Sequence, residues 1–217
     1  MTTEFARPLS AEEYRVRVEP IELKIFVSAD PFGEPFSDSL SCKMILYPIP
    51  HKFSEEQIEA IGAAARVVGD DGFYFSFTEV PSEWLEEGLG NWFIPLQDLS
   101  AYTRLDPAWE HILYSPQGKW GIIVSHEFHA VVGGSARFLG TLTARFPPVQ
   151  PFQEVHPPLY EVHEPRSPIP AKQQVYEFLR DWKERKEQGA KMPWLLRLLT
   201  HVYGSERARR LLQDTGL

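Results

Sequence analysis

With 217 residues, 43% of them hydrophobic, and with 14 Phe and six Trp, the chain holds enough apolar material for a sizeable core and is not a disordered polypeptide. Its formal charge of −8 is uneven: residues 1–150 carry 21 acidic and 11 basic side chains, residues 151–217 carry nine and 11. Such a body repels a phosphate backbone, so nucleic acid is excluded as a partner, and a single cysteine, Cys42, excludes a disulfide framework or a multi-cysteine zinc site.

The opening "MTTEFARPLSAEEYRVRVEP" has no basic segment followed by an apolar run. No window approaches the roughly 18 apolar residues of a membrane span. A soluble, unprocessed, cytoplasmic protein in a reducing compartment is expected.

In chain order, "YRVRVEPIELKIFVS" alternates Tyr14, Val16, Val18 and then Ile21, Leu23, Ile25, Val27. That is the period of a half-buried strand with a break at Pro20. "DPFGEPFSD" reads as a loop and "CKMILYPIP" as a second strand that closes at Pro48. Ser54 with Gln57 three residues on forms a capping box, and Ile58, Ile61, Ala65 and Val68 share one face, so an amphipathic helix is expected up to Gly69. "FYFSFTEV" alternates Phe73, Phe75 and Phe77 against Tyr74, Ser76 and Thr78, a strand with an aromatic face. "PSEWLEEGLG" suggests a short helical turn and "NWFIPLQDL" an extended segment.

"WEHILYSPQGKWGIIVSHEFHAVVGG" reads as a meander. "SPQG" has the Pro and Gly of a type I turn between two apolar runs, and Ala130, Val131 and Val132 continue as a third strand after "HEFH". His126, Glu127 and His129 approach the zinc-protease signature, which needs its histidines at i and i+4 on one helical face. Here the spacing is i, i+3, and the neighbours Ile122, Ile123, Val124, Val131 and Val132 favour strand. A polar turn is the expectation, with no metal and no cofactor. The alternative is an unusual turn that brings His126, His129 and His111 together at the centre of a metal-dependent or histidine-centred enzyme. "GGSA" lacks the lysine and spacing of a phosphate-binding loop, Cys42 sits in an apolar strand, and no nucleophile elbow exists. Ser135 caps a helix over "SARFLGTLTARF" that buries Phe138, Leu139, Leu142 and Phe146.

Eight prolines in residues 146–170 preclude regular structure there and read as an extended connector. Beyond it, Val175, Phe178, Leu179 and Trp182 lie at i, i+3, i+4 and i+7, an amphipathic helix. "MPWLLRLLTHVYG" and "SERARRLLQDTGL" follow as two further helices, expected to cap the sheet of the body.

The segment "ILYSPQGKWGIIVSHEFHAVVGG", within residues 110–138, resembles segments of small uncharacterised bacterial cytosolic proteins, the immunity-type proteins made beside secreted toxins among them. The resemblance implies a protein that binds another protein and transfers no catalytic residue.

Together these features predict an α+β fold: a body over residues 1–146 with a mainly antiparallel sheet and two principal helices, a proline-rich connector over 147–170, and a helical segment over 171–217. The expected function is protein binding, as an immunity-type neutraliser; a structural or oligomerisation module working through the tail is a third reading. Asp70, Asp71, Glu86, Glu87, His126, Glu127 and His129 are the candidate partner-binding residues, because exposed acids steer a basic partner. No catalytic residue is assigned.

Overall fold

The computed structural model describes residues 6–78, 84, 90–105, 110–148 and 173–217. Seven strands form one antiparallel sheet: β1 (Arg7–Pro8), β2 (Cys42–Leu46), β3 (Gly72–Phe77), β4 (Asn91–Pro95), β5 (His111–Tyr114), β6 (Trp120–Val124) and β7 (Ala130–Gly134), in the spatial order β1-β4-β3-β5-β6-β7-β2. The fold is α+β, as the sequence predicts. Strands β5, β6 and β7 are the expected meander, with Ile112 opposite Ile123 and Ile123 opposite Val131.

Helices cover both faces of the sheet. On one face, α3 (Glu55–Val67), α4 (Ser100–Leu105) and α5 (Ala136–Arg145) bury Phe73, Phe75, Leu113, Trp120, Ile122, Val124 and Val132. Ser54 and Gln57 close the predicted capping box of α3, and the Ser135 hydroxyl accepts the Phe138 amide at the start of α5. On the other face, Ile45, Ile112, Tyr114, Ile123 and Val131 meet α6 (Gln174–Glu187), α7 (Leu195–Tyr203) and α8 (Ser205–Thr215). Strand side chains alternate between faces. With both faces apolar, "WGIIV" therefore becomes a continuous hydrophobic run rather than an alternating one.

The N-terminal segment corrects the strand expectation. Residues 11–25 are helical: α1 (Ala11–Glu13), a π-helical turn (Tyr14–Val18) and α2 (Glu19–Ile25). The wide turn sits immediately before Pro20, whose ring clashes with the carbonyl four residues back and which has no amide to continue the ladder. Two periodicities overlap in this stretch. Tyr14, Val18, Ile21 and Ile25 make a helical stripe that packs on the second face of the sheet, whereas Val16, Leu23 and Val27 face solvent at 63, 67 and 65% exposure. The helix seats closely because Gly121 on β6 has no side chain: a Cβ there would lie 2.5 Å from Ile25 and 2.7 Å from the Phe26 ring. Beneath the π turn, the Tyr14 and Tyr114 hydroxyls donate to the Glu22 carboxylate at 2.9 and 2.8 Å, and burial pushes the Glu22 pKa up.

The C-terminal helices also close the open edge of β2. The Tyr203 hydroxyl accepts the Ile45 amide at 3.2 Å, and the Gln174 side-chain carbonyl accepts the Tyr47 amide at 3.0 Å. An uncovered edge would leave these donors available to another strand. Residues 149–170 of the predicted connector, and most of the helical turn expected around Trp84, lie outside the described residues.

Candidate functional site

The "SHEFH" turn is built from both strand ends. Ser125 and His129 close the β6–β7 loop, with the Ser125 amide donating to the His129 carbonyl at 2.8 Å, and the Ser125 hydroxyl accepts the Glu127 amide at 3.0 Å. Phe128 takes a left-handed backbone, φ 64°, uncommon for an aromatic residue, and its carbonyl accepts the Ile49 amide at 2.7 Å.

The three histidines go to three environments. His111 is fully buried beside Phe75 on the first face, where its Nε2 lies 2.9 Å from the Tyr102 hydroxyl. That hydroxyl also accepts the Phe53 amide at 3.0 Å, so Tyr102 links the ring to the start of α3. His129 is fully buried on the second face against Phe32 and Phe178, and its Nε2 donates to the Pro31 carbonyl at 3.2 Å. Burial lowers its pKa to about 4 and keeps it neutral at pH 7. His126 alone is open, with a half-exposed side chain. Strand alternation sends the ligands apart, and among the described residues no three His, Cys, Asp or Glu side chains gather as a metal site.

His126 is nevertheless not an idle turn residue. Its Nδ1 lies 2.9 Å from Oε1 of Glu110, a carboxylate with only 6% of its side chain exposed. The same oxygen accepts the Ser125 hydroxyl at 3.1 Å and the His126 amide at 3.4 Å. Glu110 immediately precedes β5, and Thr78 immediately follows β3, its amide donating to the Glu110 carbonyl at 3.0 Å. The Thr78 hydroxyl is buried and has no hydrogen-bond partner among the described residues. With Ala29, Asp30, Pro31 and Phe32 these three residues line a concavity of about 330 Å3. Asp30 shapes its rim through an Asx turn, its Oδ1 accepting the Phe32 amide at 2.9 Å.

The remaining candidates divide. Glu127 accepts Arg185 of α6 at 2.6 Å, which ties the turn to the C-terminal helices. Asp70, expected on the surface, is 5% exposed. Its carboxylate accepts the Trp120 indole N–H at 2.7 Å and the Ser115 hydroxyl at 3.1 Å, and burial pushes its pKa up against those bonds. It pins the end of α3 to the β5–β6 hairpin and is not available to a partner. Asp71 is exposed but lies at the start of β3, the end opposite Thr78, about 20 Å away at strand rise. Glu86 and Glu87 lie outside the described residues.

Sequence reasoning missed Glu110 and Thr78, since a lone acid before a strand and a threonine after one carry no motif. The pairing of β3 with β5, and of β5 with β6, brings them to His126. In comparison with known proteins, the chain matches no family model, no curated protein and no solved structure.

Proposed function

We propose that the protein acts by binding another protein, as an immunity-type neutraliser of a basic partner, and that it does so at the end of the sheet where the N-terminal helix runs into the His126 concavity. One observation carries this reading: Val16 and Leu23 on that helical segment and Val27, just past its end, make an exposed apolar stripe, and the chain passes from Val27 to the concavity residues Ala29 and Asp30 in three residues. Exposed apolar surface beside a few fixed polar groups is the make-up of a protein interface. Arg15, Arg17, Glu19 and Lys24 surround the stripe with charges of both signs, as an interface rim does. The acidic excess of residues 1–150 favours encounter with a basic protein.

The test is affinity capture from the source organism with the native chain and with Leu23→Asp and Asp30→Lys variants, at low and high salt. A basic protein is expected, held less well at high salt and lost by both variants, whose own toxic or enzymatic activity is inhibited by the native chain. An acidic partner, or one retained equally by both variants, overturns the reading.

A second reading is favoured by the Glu110–His126 pair. A buried carboxylate on Nδ1 fixes the imidazole orientation and holds the ring proton on Nδ1, which leaves Nε2 as the acceptor nitrogen, the arrangement of a general base. A hydrolytic activity lost in His126→Ala and in Glu110→Gln, with folding retained, would establish it.

A further inference from the structure

We infer that the segment from Ser28 to Phe36 is a proton-sensitive flap, clasped by two neutral histidines and released when they take up protons. The segment is a unit of its own. Its turns close internally, through the Asp30 amide on the Ser28 hydroxyl, the Phe32 amide on the Asp30 carboxylate and the Gly33 amide on the Asp30 carbonyl. Among the described residues, one hydrogen bond ties residues 29–34 to the rest of the protein, from Nε2 of His129 to the Pro31 carbonyl at 3.2 Å. The Phe32 ring lies against the same imidazole, 4.9 Å between centroids, and against Trp194 at 4.7 Å. A proton on His129 places a charge between the Phe32 and Phe178 rings, in a pocket closed to water.

The second clasp is at the base of the flap, where Phe26 and Phe36 face each other across a bridge. The bonds of that bridge run from the Val27 amide to the Pro35 carbonyl and from the Ser37 amide to the Ile25 carbonyl. The Phe36 amide points away from them and donates to Nε2 of His201, on α7, at 3.3 Å. An imidazole nitrogen accepts only while it carries no proton. Protonated His201 sets an N–H against the Phe36 N–H, so this bond exists in one charge state alone. Phe36 is buried, and its amide then finds no water to replace the lost acceptor. Lys43 of β2 opposes a charge on His201, whereas Glu34 in the flap and Asp38 just beyond it favour one, Glu34 lying 3.9 Å from Nδ1. Burial and Lys43 hold the His201 pKa below the usual 6.5. At His129, Glu127 favours the charge and Arg185 opposes it, and burial outweighs both. With both values lowered by folding, the clasp is complete above pH 6.5 and is lost as the pH falls through them. Its use as regulation rests on the protein-binding reading: the flap carries Asp30 and adjoins Val27, so its release takes apart that end of the partner surface and makes binding acid-labile.

The test is amide hydrogen exchange on the full chain from about pH 7.5 down to about pH 5, each rate divided by its intrinsic value, while the His201 imidazole is titrated by NMR. Protection at Phe36 is expected to fall about tenfold or more along the His201 titration curve, with Ile123 in the sheet unchanged. His201→Gln offers a side-chain carbonyl that accepts at every pH, so Phe36 should stay protected throughout. His201→Ala should leave it unprotected at the upper pH. Should either variant fail to fold, the native chain decides alone: Phe36 must follow His201 and Ile123 must not. Protection at Phe36 that stays constant through the titration, or that falls equally in His201→Gln, overturns the flap. Affinity capture is then compared at the two ends of the pH range. Capture lost at the lower pH by the native chain and retained by His201→Gln supports the regulatory use, and equal capture by the native chain at both overturns that use. Absence of a basic partner at either pH removes the binding reading, while the exchange result at Phe36 still decides the flap.

Discussion

The Trp120 indole nitrogen donates to the Asp70 carboxylate across 2.7 Å with both residues buried, so the end of α3 and the start of β6 are joined by one charge-assisted bond inside the protein. Removing the acceptor strands a buried donor, which costs about 1–3 kcal/mol, and more where the lost partner was charged. Asp70→Ala is therefore expected to lose roughly 2–4 kcal/mol in denaturant unfolding, while Asp71→Lys, on the surface beside it, stays within about 0.5 kcal/mol of the native protein. Equal stability of the two variants would contradict the assignment of Asp70 to the fold.

His129 makes stability depend on pH. Its folded pKa of about 4 lies below the 6.5 of an unperturbed histidine, so between these values the unfolded chain binds more protons than the folded one. Stability contributed by the neutral buried ring is complete above pH 6.5 and is lost as the pH falls toward 4, a change of about 3 kcal/mol. The His129→Leu variant, measured over the same range, should show a shallower decline by that amount. A parallel decline would place the pH dependence elsewhere.

The two ends of β6 respond differently to substitution. Gly118 closes the β5–β6 turn with φ +70°, a conformation that L side chains rarely adopt, and its amide donates to the Ser115 carbonyl at 3.0 Å. Gly118→Val should cost about 1–3 kcal/mol through backbone strain. His126→Ala removes a half-exposed ring while Glu110 keeps its bonds from Ser125 and the backbone, so its cost should stay near or below 1 kcal/mol. Thermal melts of the two variants compare them directly.

At the sheet edge, Tyr203→Phe deletes the acceptor of the Ile45 amide without changing the packing of the ring. A loss of about 1–2 kcal/mol is expected, together with faster hydrogen exchange at Ile45. Exchange at Tyr47, held by Gln174, should change less. Uniform acceleration across β2 would mean that the whole helical layer had loosened rather than one bond.

Local signals in the sequence determined much of this protein. The Ser54–Gln57 capping box, the Ser135 cap, the "SPQG" turn and the apolar runs on either side of it each act within a few residues, and each stands in the structure where those residues place it. The three C-terminal helices follow equally from their own periodicity. Residues 11–27 were ambiguous by the same physics: Tyr14, Val18, Ile21 and Ile25 make a helical face, Val16, Leu23 and Val27 complete a strand-like alternation, and propensity alone does not choose between them. Tertiary contact chose, because Ile25 and Phe26 fill the space left by Gly121 and a helix presents Val18 and Ile25 to the same surface.

The functional groups depended on tertiary structure still more. A charge count treats Asp70 and Asp71 alike, yet the chain turns one into the core toward Trp120 and leaves the other in water. Histidines three apart resemble a ligand pair until strand geometry sends His129 inward and His126 toward Glu110, 16 residues earlier in the chain. That last pairing is long-range. The sequence determined which side chains were available; only the register of β3, β5 and β6 decided that Thr78, Glu110 and His126 meet, because strand pairing brings together residues whose separation along the chain carries no local trace.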